Sequence, residues 1–147
     1  MKIGFRVDAA SHIGTGHLTR CLTLAKKLQF MGHECTFFSR MFDINLSERI
    51  TTAQCSLVIL GNSFHVSISS IKSEKDWIGV SLDEDCQDFI KAINYSPIDI
   101  CIVDHYSIDI SWESHIRPLV SSLVVIDDLA NRLHDCDILI DQNYFPD

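Results

Sequence analysis

Ile98-Asp99-Ile100-Cys101-Ile102-Val103-Asp104-His105-Tyr106 decides the fold class. Residues Ile98–Val103 are almost all apolar and β-branched. A strand of this composition is buried on both faces, as in a parallel sheet. The polar cluster Asp104-His105-Tyr106 follows directly at its carboxyl end. The same sequence of events recurs on either side. Lys2–Val7 reads as a strand at the start of the chain, followed by the small-residue loop Ser11-His12-Ile13-Gly14-Thr15-Gly16-His17. Leu18, Cys21, Leu22, Ala25 and Leu28 then recur at three- and four-residue steps, the period of an amphipathic helix that Gly32 stops. Cys35–Ser39 and Ser56–Leu60 read as strands, with a short helix over Asn45–Thr52 that turns Leu46 and Ile50 inward.

Trp77–Val80 is expected as a short strand. Asp83–Tyr95 is expected as a helix with Cys86, Phe89, Ile90 and Ile93 on one side, and its acidic start suits the helix dipole. A brief helix over Trp112–Arg117 ends at Pro118, and Leu123–Ile126 and Ile138–Ile140 complete the set as two further buried strands. Alternation of this kind implies an α/β fold, a Rossmann-like parallel sheet with helices on both faces.

With 147 residues the chain fits one domain, since domains most often run to about 100–150 residues. It carries 12 Lys+Arg against 20 Asp+Glu, a net charge of −8. That balance lacks the basic footprint of a nucleic-acid binder. Its apolar runs fall short of the roughly 20 residues needed to span a bilayer. Arg6 and Asp8 interrupt the place where a signal peptide holds its apolar run, so a cytoplasmic location is expected. The six cysteines form no C-x-x-C pair and mostly sit in apolar contexts, which points to reduced, buried thiols. His134 and Cys136 lie close together beside Asp135 and Asp137, but adjacency is not ligand spacing, and no metal is expected.

Ligands of such sheets bind outside the carboxyl ends of the strands. Arg6-Val7-Asp8 running into Gly14-Thr15-Gly16-His17 falls there, as do Asp104-His105-Tyr106, Asp127-Asp128 and Asp141-Gln142-Asn143. Gly14 and Gly16 allow close backbone approach to a ligand. The loop is neither a Walker A motif nor G-x-G-x-x-G, because no Lys-Ser/Thr pair follows and Thr19 occupies the third glycine position. His17 opens the helix, where a neutral imidazole suits a general base; the same residue would equally serve as a cap or packing group. Arg20, one turn on, is placed to reach Asp8 or to face solvent. Neighbouring strand residues point to opposite faces, so one of Asp127 and Asp128 is expected to face the cleft while the other holds the loop.

Three ordered blocks carry a resemblance. Phe5-Arg6-Val7-Asp8-Ala9 with Ile13-Gly14-Thr15-Gly16-His17-Leu18-Thr19-Arg20 resembles the opening of the UDP-sugar hydrolases of pseudaminic acid biosynthesis. Ile102-Val103-Asp104-His105-Tyr106 with Trp112-Glu113, and Val125-Ile126-Asp127-Asp128 through Asp141-Gln142-Asn143, are similar to the same family. The stretch from Met41 to Ser96 carries little of it.

The resemblance implies a GT-B architecture and metal-independent, cofactor-free hydrolysis of a UDP-linked diacetamido-trideoxy sugar with inversion. By the same resemblance His17 is the base that activates water, Tyr106 is an active-site tyrosine, and Gly14, Thr15 and Gly16 line the sugar pocket. Asp8, Asp104 and Asp128 hold the sugar or orient His17, and Arg20 joins the substrate-binding set. Residues 1–147 then correspond to a single N-terminal domain, with the nucleotide-binding C-terminal domain missing or separately encoded. A related glycosyltransferase domain and a non-catalytic remnant fit the same residues.

Overall fold

A computed structural model describes residues 1–9, 13–40, 44–61 and 72–143. Six strands lie in one sheet: β1 (Lys2–Val7), β2 (Glu34–Ser39), β3 (Ser56–Ile59), β4 (Ile100–Asp104), β5 (Ser122–Ile126) and β6 (Ile138–Ile140). Their spatial order is β3-β2-β1-β4-β5-β6, and every pairing is parallel. This is the doubly wound order, with its switch point between β1 and β4. The four α-helices of the described residues are α1 (Gly16–Phe30), α2 (Ile44–Thr52), α3 (Leu82–Tyr95) and α4 (Ile110–Ile116).

Helices cover both faces, as the alternation predicts. On one face Leu18, Cys21, Leu22 and Ala25 of α1, with Ile50 of α2, pack on Ile3, Phe5, Val7 and Ile102. On the other, Cys86, Phe89 and Ile93 of α3 and Trp112 and Ile116 of α4 meet Phe38, Cys101, Val103 and Leu123. The switch of face from Cys101 to Ile102 to Val103 is the two-residue period of a strand. Gly4 marks a close approach within β1: a Cβ there would lie 2.6 Å from Ile98 Cδ1. Leu46 of the expected α2 face has a side chain outside the described residues. All six cysteines are free thiols, five of them buried and Cys136 partly so.

Three expectations need correction. Trp77–Val80 is not a strand. A 3₁₀ turn, Glu74–Asp76, precedes it, capped reciprocally by Ser73 and Asp76, and Gly79 at φ 76° breaks any extended run. Ile138–Ile140 is a strand but not a buried one. As the edge strand it leaves Ile138, Leu139 and Ile140 between 38% and 54% exposed. Finally, β4 begins at Ile100 and runs to Asp104, so that carboxylate stands on the last strand residue, paired in register with Val7. Among the described residues no helix is long and apolar enough to cross a membrane.

Candidate functional site

At the switch point the chain leaves β1 toward α1 on one face and β4 toward α4 on the other. A crevice is left between the two departing segments. An open cleft of about 970 Å³ lies there, walled by Gly16, His17 and Arg20 of α1, Tyr106, Asp128, Trp77 and Gln142. All four polar clusters that follow strands in the sequence therefore lend a residue to this cleft.

His17 sits in the first turn of α1, and its Nδ1 lies 2.6 Å from Asp104 Oδ1. Arg20, three residues on and so on the same helix face, grips the same carboxylate through Nε and Nη2. Its Nε donates to Asp104 Oδ2 at 2.5 Å and its Nη2 to Oδ1 at 2.5 Å. Burial works against the charge on Asp104, but the hydrogen bonds from Arg20 and His17 outweigh it and hold the carboxyl below the usual carboxylate range. An ionised carboxylate only accepts, so His17 Nδ1 carries the proton and donates it. In the neutral form of this tautomer the lone pair is on Nε2.

A second carboxylate closes the circuit. The Tyr106 hydroxyl donates to Asp128 Oδ1, and Arg20 Nη1 and Gln142 Nε2 reach Asp128 Oδ2 at 3.4 and 3.0 Å. Burial, and then the bond to Asp128, pushes Tyr106 up to about 12, so it remains a phenol and a donor near neutrality. The ring of Tyr106 stands edge-on to His17 at 4.5 Å between centroids. Asp127 turns the other way. It accepts from Leu129 N and Ala130 N and pairs with Arg132 at 3.0 Å, holding a loop in which Ala130 takes φ 50°.

Asp8 departs from expectation. It is 1% exposed and does not line the cleft. Arg6, only two residues away on the same side of β1, takes it at 2.5 Å, with Arg40 N at 2.7 Å and His105 Nε2 at 2.9 Å adding further donors. Arg20 consequently pairs with Asp104 and Asp128 and not with Asp8. Of the glycine loop, Gly16 lines the cleft while Gly14 and Thr15 stand beside it. Gly14 is needed for its backbone, at φ 81°, and Thr15 is the N-cap position of α1.

Sequence reasoning missed the buried network behind the site. Asp85 of α3 receives Arg6 Nη2 at 2.7 Å, Arg40 Nε at 2.9 Å and Trp112 Nε1 at 3.0 Å. It lies 79 residues from Arg6, and no local pattern announces the pairing. Glu113, fully buried, accepts from His134 Nδ1 at 2.7 Å and Asp135 N at 2.7 Å. Asp135 and Asp137 turn instead to Arg117. Among the described residues no three His, Cys, Asp or Glu side chains converge as metal ligands.

Sheet order, layers and cleft position define a Rossmann-like α/β domain of the kind found in GT-B glycosyltransferases. MurG of Acinetobacter baumannii superposes with a TM-score of 0.57 at 11% identity, over 87% of this chain and 34% of that one. The glycosyltransferase VinC, solved with dTDP, gives 0.56 at 16% identity, over 86% of this chain and 34% of its own. In sequence, the chain is 27% identical over 145 residues to the UDP-2,4-diacetamido-2,4,6-trideoxy-beta-L-altropyranose hydrolase of Campylobacter jejuni. The match takes in 99% of this chain and 43% of that relative, so the chain spans less than half the length of the protein it resembles. No family model matches.

Proposed function

We propose that this chain is the sugar-side, N-terminal half of a metal-independent UDP-sugar hydrolase in pseudaminic acid biosynthesis, with His17 as the base. One observation carries the reading. His17, at a cleft on the switch point, gives Nδ1 to an ionised Asp104 that is itself clamped by Arg20, an arrangement in which a neutral ring carries its lone pair on Nε2. The identity to a curated hydrolase supplies the substrate class, a UDP-linked diacetamido-trideoxy sugar.

In this mechanism His17 Nε2 takes a proton from water as the water oxygen bonds to the anomeric carbon. The bond from that carbon to the UDP oxygen breaks, and UDP leaves with its electron pair. Attack from the face opposite the leaving group inverts the configuration. A positioned base contributes about 10²–10⁴-fold to such a step. Tyr106 and Asp128 border the sugar, with Gly16 and the first turn of α1 beneath it; Gly14 and Thr15 set the path of that loop. The nucleotide is held by a second domain, as expected of a chain that matches 43% of its relative.

The test is UDP release from the chain joined with its second domain. His17→Ala is expected to lower the rate at least a hundredfold with the fold intact by circular dichroism. Near-normal release would overturn the role of His17. A second reading, a glycosyltransferase using the same base on an acceptor hydroxyl, draws on the solved neighbours, which are glycosyltransferases. Free sugar formed from UDP-sugar and water without acceptor favours hydrolysis; turnover that waits for an acceptor favours transfer.

A further inference from the structure

The cleft has an apolar side that the reaction described above does not use. Trp77 lines it, half-buried, together with Ile13 and Leu24. Its ring lies 5.7 Å from that of Tyr106 at 34° and 6.3 Å from that of His17 at 83°. Trp77 is fixed there by its neighbours. Ile78 is 2% exposed and anchored in the core of the α3 face, and its N–H donates to Ser107 Oγ at 3.2 Å. Ser107 Oγ in turn donates to Glu74 O at 2.6 Å, so the turn that carries Trp77 is tied to the loop after β4 at both ends.

The charged pair at the polar side of the cleft is already engaged internally. Asp128 takes donors from Tyr106, Arg20 and Gln142, and Arg20 gives Nε and Nη2 to Asp104 and Nη1 to Asp128. A ligand surface rich in hydroxyls would have to break these bonds to replace its lost water. A surface of methyl groups loses only water, and gains contact with a rigid ring.

We infer that Trp77 forms a pre-organised subsite for the methyl-bearing face of the sugar, and that it selects deoxy, N-acetylated sugars over fully hydroxylated ones. The inference rests on the reading of the cleft as the sugar pocket and names the residue that determines specificity within it. A methyl group in a fitted apolar site is worth about 10–200-fold in discrimination.

The chain has two tryptophans. Trp112 is 1% exposed and gives its Nε1–H to Asp85, so its indole signal serves as an internal control. The experiment titrates the ¹⁵N-labelled chain with a free 2,4-diacetamido-2,4,6-trideoxyhexose, with N-acetylglucosamine and with glucose. The Trp77 indole signal, assigned by its loss in Trp77→Phe, is expected to move with the first sugar, less with the second and not with glucose. Saturation transfer from the protein should fall mainly on the acetamido and C6 methyl protons. Trp77→Ala should weaken binding at least tenfold, and Trp77→Phe less than threefold.

Equal response to all three sugars, an unmoved Trp77 signal, or full affinity in a folded Trp77→Ala chain would each overturn the subsite. If Trp77→Ala fails to fold, the wild-type titration decides alone. A moving Trp77 signal supports the subsite even where His17→Ala leaves UDP release unchanged, an outcome that sinks only the role of His17.

Discussion

Asp104 shows how one residue sets the chemistry of another. It is 1% exposed, receives His17 Nδ1 with Nε and Nη2 of Arg20, and thereby sets which nitrogen of a neutral imidazole carries the lone pair. In the proposed reaction Asp104→Asn would present an amide of either polarity to Nδ1 and strip Arg20 of its nearer counter-charge, leaving it Asp128. UDP release by the two-domain form is expected to fall about 10²–10⁴-fold in kcat with KM changed much less. A loss confined to KM would show instead that Asp104 binds sugar. The His17 position was legible in the sequence, because a histidine after Gly-Thr-Gly at a helix start is a local pattern. The partner of Arg20 was not. Asp8 and Asp104 both lie at the carboxyl ends of strands, and only side-chain reach decides that Arg6 captures the first and Arg20 the second.

At the scale of elements, the start of α3 is locked to the ends of β1 and β2 by charge. Asp85 joins Arg6 and Arg40, all three side chains being essentially inaccessible. Removing one member of such a set leaves buried charge short of partners, which costs up to about 3–5 kcal/mol. Asp85→Ala leaves Arg6 to Asp8 and Arg40 to Asp88 alone, and is expected to lower stability toward that amount in urea unfolding; a change under about 1 kcal/mol would mean that Asp8, Asp88 and water satisfy both guanidinium groups without it. The helix itself was legible, because Cys86, Phe89 and Ile93 recur at helical spacing and face inward; the structure adds the cap, Ser81 accepting Glu84 N at 3.1 Å. What the first turn grips was not legible, since acidic residues there read as a favourable interaction with the helix dipole. The edge strand β6 was misjudged for a related reason. Ile-Leu-Ile has the composition of a central strand, and composition carries no information on how many neighbours a strand has.

For the whole molecule, the buried carboxylates set the response to acid. Desolvation raises Asp8, Asp85 and Asp104, but their arginine and histidine partners prevail and hold all three below the usual range. Groups whose folded pKa is depressed add stability that is present above their unfolded pKa of about 3.9 and is lost as pH falls through the folded value. The urea midpoint is accordingly expected to be nearly flat on their account from about pH 7 to 5 and to fall steeply below about pH 4. A midpoint unchanged between pH 5 and 3 would contradict the buried pairs. At the same scale the cleft is open, with about 970 Å³ facing outward between α1 and the loops after β4 and β5. Within the proposed two-domain enzyme, that opening is where the nucleotide-bearing domain would meet the sugar.

The sequence by itself determined the layers of this protein. Apolar periods of two and of three to four residues are local properties; they placed the six strands and the α-helices, while misreading Trp77–Val80 as a strand and the exposed β6 as buried. It also placed the polar clusters at the carboxyl ends of strands, because strand limits and loop composition are read along the chain. Only the tertiary structure decided how those clusters sort. Tyr106 and Asp128 join His17 in the cleft, Asp104 holds His17 from a buried position behind it, Asp8 withdraws into a buried ion-pair network, and Trp77 reaches the cleft from a turn that sequence read as a strand. The reason is physical: pairing among charges depends on distance across the fold, and nothing in the local order of residues records it.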